Sequence, residues 1–367
     1  MQLNRRSFIL RGTVSSAGMI YGLEGRANRG GDDAPEADGH DSITPEAQQA
    51  IDRGLAYLAR TQNRDGSFGE RPQFYGNVAV TSLAALALMS GGNQPGRGIY
   101  ATNVQRALLY VLSREKRDVP GFLHNEPSNP QIGMYDHGFG TLFLAEIYGM
   151  VPDLAVQERS KATIERAVRL IETSQSREGG WRYDPKPVQA DVSVTICQIM
   201  ALRAARNAGF AIDKSVVDLC VKYVRSCQNA DGGYSYFSGQ GGSAFARSAA
   251  GLVALYSAGI YEGREIEKTL NYLMQYKPNA PLSRREIPDM HWYYGQYYAA
   301  QAMWSAAARH PQYWSEWFPA IREELLQRVR NRQEGSWPDH MTCNHYATAM
   351  ATIVLQIPNN YLPILQK

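Results

Sequence analysis

The feature that most constrains this chain is a turn that keeps returning. "QNRDGSFG" (Gln62 to Gly69) recurs in shape as "QSREGGW" at Gln175, "QNADGGY" at Gln228 and "QEGSW" at Gln333. Each copy carries a glutamine, a polar turn with glycine and a closing aromatic. Those aromatics, Phe68, Trp181, Tyr234 and Trp337, are separated by 113, 53 and 103 residues. The two long gaps are double steps, so each should hide a degenerate copy. "PGFLH" supplies Phe122, which splits the first gap into 54 and 59 residues. The other copy is expected near "KPNAPL" (Lys277 to Leu282), with its aromatic lost. Six units over the 324 residues from Thr44 onward give 54 residues each, a period that belongs to repeat architectures.

Each unit contains two helical patterns of different character. The helix before the turn is amphipathic: "PEAQQAIDRGLAYLART" puts Ile51, Leu55 and Leu58 on one face. Thr44 and Pro45 supply its cap and first-turn proline. The helix after the turn is small and apolar on most sides, as in "NVAVTSLAALALMS" and "FARSAAGLVALYSAG". A helix apolar all round must be buried. Six amphipathic helices therefore cover six buried ones, as an open solenoid or as a closed ring of hairpins. The Ala-, Gly- and Ser-rich inner helices favour the ring.

Outside the repeats the chain is less specific. A net charge of +3 gives no nucleic-acid footprint, and no apolar run is long enough to span a bilayer. "NRRSFIL" carries twin arginines, Arg5 and Arg6, ahead of a mildly apolar stretch. Residues 1–27 thus resemble a twin-arginine export signal, which implies a periplasmic or envelope location. Residues 28–43 are polar and Gly/Asp-rich, as in a flexible tether, and residues 44–367 form the repeat domain. Cys220 and Cys227 share a helix face and lie too far apart along it for a disulfide, so they are expected in the core.

"RGLAYLARTQNRDGSFG" and "ERAVRLIETSQSREGGW" resemble the Gln-Trp repeats of squalene-hopene cyclases and the repeats of protein prenyltransferase β subunits. The resemblance covers nearly all of Thr44 to Gln366. It implies an all-α fold, an (α/α)6 toroid of six helical hairpins. The glutamines and aromatics are then structural: an amide suits helix ends and a flat ring packs on the next repeat.

In such a ring the inner helices point one way, and their N-termini gather free N–H groups and partial positive charge at one mouth. Polar residues fall there repeatedly: Asp136 and His137; Asp191, Ser193 and Thr195; Arg247; Asp289 and His291; Cys343 and His345. Helix capping accounts for Asp191 and Ser193. It accounts less well for three of only seven histidines. Asp191, His137 and Tyr294 are the candidate catalytic groups. Trp292 and Tyr294 belong to "HWYYGQYY", an aromatic inner-helix cluster suited to lining a lumen or binding an isoprenoid.

The resemblance divides on chemistry. Class II cyclases protonate an alkene with the middle aspartate of Asp-x-Asp-Asp, and the local match "DVSVT" has Ser193 at that place. Those cyclases also use two barrels where one is expected here, so an enzyme of this kind is expected to be a prenyltransferase-like transferase rather than an Asp-x-Asp-Asp cyclase. Prenyltransferase β subunits hold zinc with Asp-x-Cys and a later histidine, which maps onto Asp289, His291 and His345. Arg284 and Arg285 correspond to their upstream basic diphosphate-binding residues; their diphosphate-binding histidine has no counterpart before Gly251, and Arg247 is the substitute for it. One expectation is therefore a toroid that binds an isoprenoid or other apolar ligand, as a zinc-dependent prenyl transferase. The other is a non-catalytic envelope protein that binds peptide, glycan or protein.

Overall fold

The computed structural model of the chain describes residues 43–125, 132–280 and 291–366. Residues 1–42, where the export signal and nearly all of the tether are expected, and Arg284, Arg285 and Asp289 lie outside the described residues. Twelve α-helices alternate between two layers among those described. The outer ones are α1 (Pro45–Thr61), α3 (Ala101–Ser113), α5 (Leu154–Thr173), α7 (Lys214–Ser226), α9 (Arg264–Met274) and α11 (Pro311–Val329). The inner ones are α2 (Val78–Ser90), α4 (Gly133–Ile147), α6 (Val192–Asn207), α8 (Phe245–Ser257), α10 (Trp292–Ala306) and α12 (Asn344–Gln356). Each inner helix packs on the next, and α12 packs on α2, so the inner ring closes. The outer helices sit in the grooves between inner neighbours: α3 touches both α2 and α4, and α5 both α4 and α6. This is the (α/α)6 toroid of six hairpins expected from the repeat. Among the described residues no helix is long and apolar enough to cross a membrane.

The repeated turn is the joint of the ring. Its closing aromatics are buried, with Phe68, Tyr234 and Trp337 fully so. In three of the copies, at Gln62, Gln175 and Gln228, its glutamine donates from Nε2 both to its own turn and to the first turn of the next outer helix. Gln175 reaches Gly179 O at 2.8 Å and Val216 O at 2.9 Å; Gln62 reaches Gly66 O at 2.9 Å and Asn103 O at 3.0 Å. This amide thereby ties adjacent hairpins together, through backbone carbonyls. In the second unit Glu115 takes the glutamine's place and reaches α5 through Arg166 Nη2 at 2.7 Å.

The turn glycine decides how close the repeats come. Gly335 has φ +81, and a Cβ there would stand 2.7 Å from the carbonyl oxygen of Arg53 on α1. Gly66 meets the Arg106 carbonyl of α3 in the same way. The degenerate copy expected at "KPNAPL" is Asn279, which holds φ 71. Asparagine is the residue that best tolerates that region after glycine.

A second contact repeats with the turn. The backbone N–H of each closing aromatic donates to a hydroxyl on the following inner helix: Phe68 to Thr81 at 2.9 Å, Trp181 to Thr195 at 3.1 Å, Tyr234 to Ser248 at 2.8 Å and Trp337 to Thr348 at 3.0 Å. In the second unit the acceptor is His137: its Nδ1 takes the N–H of Leu123 at 3.3 Å. Its Nε2 then carries the proton and donates to Ala167 O at 3.2 Å. His345 lies in the seam where the last repeat meets the first. Its Nδ1 accepts from Gly69 N at 3.0 Å, and its Nε2 is 2.8 Å from the Thr61 hydroxyl. That hydroxyl already donates to Tyr57 O, so Nε2 is the donor to it. Burial pushes both imidazoles down, each to about 4.

Two outcomes follow from the joint and the seam. Gly209 has φ +95 with open space around it, so Gly209→Ala carries only backbone strain of about 1–2 kcal/mol. Gly335→Ala carries that strain plus overpacking of about 1–3 kcal/mol. Urea titration should show the second variant clearly less stable; equal loss would remove the close approach as the cause. For His345, the folded state resists protonation while the unfolded chain accepts it near pH 6.5. Its contribution is therefore complete above that pH and is lost as pH falls toward 4. The loss is on the order of 3 kcal/mol. Unfolding measured from pH 7.5 to 4 should be flatter in His345→Gln than in the wild type.

Candidate functional site

The first turns of the six inner helices surround a cavity of about 710 Å³. Phe139, Phe245, Tyr294 and Tyr346 give it ring-lined walls, with Val80, Leu83 and Met350 deeper in. The Tyr294 hydroxyl is fixed, donating to Ser193 O at 2.9 Å, and its ring meets Tyr298 edge-on at 4.8 Å. Tyr183 and Tyr236 close one side, their hydroxyls 2.6 Å apart.

One carboxyl lines the cavity among the described residues: Asp136, on the first turn of α4, with 0% exposure. Its Oδ1 accepts from Asn77 Nδ2 at 2.7 Å and from the backbone N–H of Ala79 at 3.1 Å. Its Oδ2 is 2.7 Å from Nδ1 of His124, whose ring stacks on Phe122 at 5.4 Å. Burial pushes this carboxyl above the usual range, against the pull of His124, Ala79 and Asn77. The sequence reading placed Asp136 at the mouth without giving it a role, and passed over His124. A signal was available. Among the inner helices only α4 has an acidic residue in its first turn. His124 follows the repeat aromatic Phe122 by two residues but has no periodic counterpart to mark it.

The residues singled out by sequence divide into three groups. Arg247, His291 and Tyr294 are on the cavity wall. Arg247 is held by backbone carbonyls, Nε to Tyr234 O at 2.9 Å and Nη2 to Gly242 O at 2.7 Å. Among the described residues no carboxylate pairs with it. Asp191 stands just behind the wall as the N-cap of α6, its Oδ1 accepting from Val194 N at 2.9 Å and its Oδ2 from the Tyr236 hydroxyl at 3.2 Å. His137, Trp292 and His345 are elsewhere. Trp292 faces the outer layer under the Arg328 guanidinium, 3.6 Å from its ring centre. His137 and His345 spend both ring nitrogens on the joints described above.

That last point bears on a metal. A zinc ligand needs a free imidazole lone pair, and the only one on His345 is taken by the N–H of Gly69. His345 so placed has no lone pair left for a zinc ion. Among the described residues no three His, Cys, Asp or Glu side chains stand close enough to hold a metal ion. The four cysteines are buried free thiols.

Solved structures share this architecture. The type II terpene cyclase MstE from Scytonema, in complex with geranylgeranyl dihydroxybenzoate, aligns at a TM-score of 0.57 and 13% identity, covering 87% of this chain and 98% of that one. An α-1,6-mannanase of Salegentibacter sp. HEL1_6 aligns at 0.59 and 10% identity, over 84% and 98%. An unsaturated glucuronyl hydrolase specific for heparin aligns at 0.57 and 12%, over 86% and 96%. At such identities the likeness is one of fold. MstE, a type II terpene cyclase, is matched over nearly its whole length by this single toroid. No curated protein matches the chain in sequence. The family model for the prenyltransferase alpha-alpha toroid domain matches residues 39–124 and 121–280, and the chain belongs to that family.

Proposed function

We propose that the toroid takes an isoprenoid or similar apolar chain into its cavity, and that Asp136 hands it a proton there. The observation that carries this reading is a single buried carboxyl set in an aromatic wall. Burial favours the neutral acid, and the Asn77, Ala79 and His124 groups stand ready to stabilise the carboxylate left behind. In the step, the O–H bond of Asp136 breaks and the π pair of an alkene forms a new C–H bond. The products are a carbocation and the Asp136 carboxylate. Tyr294, Tyr346 and Phe139 present ring faces or edges to that charge. Arg247, with His291 beside it, suits an anionic or polar head on the chain. Arg284 and Arg285 extend that role in the proposal. The substrate of MstE, geranylgeranyl dihydroxybenzoate, has this combination of prenyl tail and acid head.

A glycan is the competing occupant, since a mannanase and a glucuronyl hydrolase share the fold. Glycoside hydrolysis usually works with two carboxyls flanking the bond. Among the described residues the wall offers one.

Geranylgeranyl dihydroxybenzoate incubated with the protein in D2O should yield an isomer with deuterium on carbon. Asp136→Asn should lower that rate at least about 100-fold. Retention of the rate in Asp136→Asn would remove Asp136 as the acid. If neither this probe nor farnesol binds, the apolar-ligand reading fails. The twin-arginine start would deliver this cavity to the cell envelope. A variant with Arg5→Lys and Arg6→Lys should stay in the cytoplasm on fractionation, and normal export would refute that assignment.

A further inference from the structure

The wall opposite in character to Asp136 is the tyrosine pair. Tyr183 and Tyr236 both line the cavity, and their hydroxyl oxygens are 2.6 Å apart. The Tyr236 hydroxyl donates to Asp191 Oδ2 at 3.2 Å. A phenol has one proton, so Tyr236 spends its own on Asp191 and must accept from Tyr183. Tyr183 in turn spends its proton on Tyr236. Its oxygen is left with lone pairs only for whatever lies in the cavity. The three groups form a hydrogen-bond chain polarised in one direction, with an acceptor at the cavity end and a carboxylate at the buried end.

We propose that Tyr183, Tyr236 and Asp191 form a cation-facing proton relay that removes a proton from a carbocation held in the cavity. The inference rests on the acid reading of Asp136, since that step creates the cation. In the relay step a C–H bond next to the cationic carbon breaks, and its electron pair closes a new alkene. The proton goes to the Tyr183 oxygen, the Tyr183 proton to Tyr236, and the Tyr236 proton to Asp191. The cation is neutralised and Asp191 ends as the neutral acid. The chain runs in reverse when water refills the emptied cavity. Tyr183 is the catalytic residue; Tyr236 and Asp191 act through it.

The surroundings of Asp191 support this use. The titratable groups facing it, besides the relay, are Arg182 in the preceding turn, Tyr135 on α4, Cys197 on α6, Tyr223 and Cys227 at the end of α7, and Tyr294 on α10. Burial pushes the thiols and phenols up, so they stay neutral, and Arg182 is the one charge. Burial also pushes the Asp191 carboxyl up to about 6, against the Val194 N–H and the Tyr236 hydroxyl. It is ionised at neutral pH yet a better proton acceptor than an ordinary aspartate. Nothing in its role as N-cap requires the contact with Tyr236, because the cap uses the other oxygen.

Farnesylamine, whose ammonium stays charged from pH 5 to 8, mimics the cation; farnesol is its neutral control. Calorimetry of both with the full chain tests the relay without any turnover. The amine is expected to bind at least about 10-fold more tightly than the alcohol at pH 8, a difference of about 1.4 kcal/mol. That preference should fall away as pH drops through about 6. Asp191→Asn keeps the cap and should abolish both the preference and the pH step. Tyr236→Phe should do the same by cutting the chain. Equal binding of amine and alcohol overturns the relay and leaves the apolar cavity standing. A preference that survives Asp191→Asn but vanishes in Asp136→Asn assigns the cation to the other wall and also overturns it. Failure of both probes to bind overturns the cavity reading and the relay together.

Discussion

A glycine pressed against a backbone carbonyl leaves its neighbours almost no freedom. That contact, made by the repeated turn, sets the distance between successive hairpins of this ring. A glycine tolerates the left-handed region and has no Cβ to collide with the next outer helix. Gly66 meets Arg106, and Gly335 meets Arg53 on the first helix. The last of these is a closure condition. If each step around the ring is fixed by the same contact, the sixth step must return to the start. The glutamine cross-links and the buried aromatics then hold a geometry that the glycine has already chosen.

This explains why the fold could be read from sequence and much of the chemistry could not. A joint used several times leaves a periodic trace in residue type, and even the degraded copy near Asn279 keeps the backbone requirement of the original. A functional site is used once and leaves no period. His137 illustrates the resulting confusion. It looked like a rare polar residue at a mouth. In the structure it does for the second repeat what Thr81, Thr195, Ser248 and Thr348 do for the others. Aligning the units by the hydroxyl position would have shown this. His345 has no such counterpart, and its seam position follows only from closure of the ring.

The residues that do meet at the cavity were partly visible. Arg247, His291 and Tyr294 were placed there by the single assumption that inner helices start at one mouth. Asp191 was rightly recognised as a cap, yet the second oxygen of its carboxyl points toward a different partner, Tyr236, from a turn about one repeat later. Asp136 needed its partner to stand out. His124 comes from the turn before α4, and no sequence spacing says that the two side chains meet at 2.7 Å.

Two buried carboxyls thus stand at the cavity with different neighbours. Both are pushed up by burial. Asp136 borders the space, itself fully buried, and is backed by an imidazole and two N–H groups. Asp191 is screened from that space by phenols. A group that touches the ligand can give a proton to carbon. A group reached only through hydroxyls can take one without being exposed to the ligand's apolar bulk. The same desolvation acts on each, and what separates a donor from an acceptor is which atoms stand between the carboxyl and the cavity. In a ring whose inner helices are nearly identical in build, that difference comes from residues carried on the connections between helices: His124 ahead of α4, Tyr183 ahead of α6 and Tyr236 ahead of α8. The chemistry of this toroid is then a matter of loop residues set over a repeated set of joints.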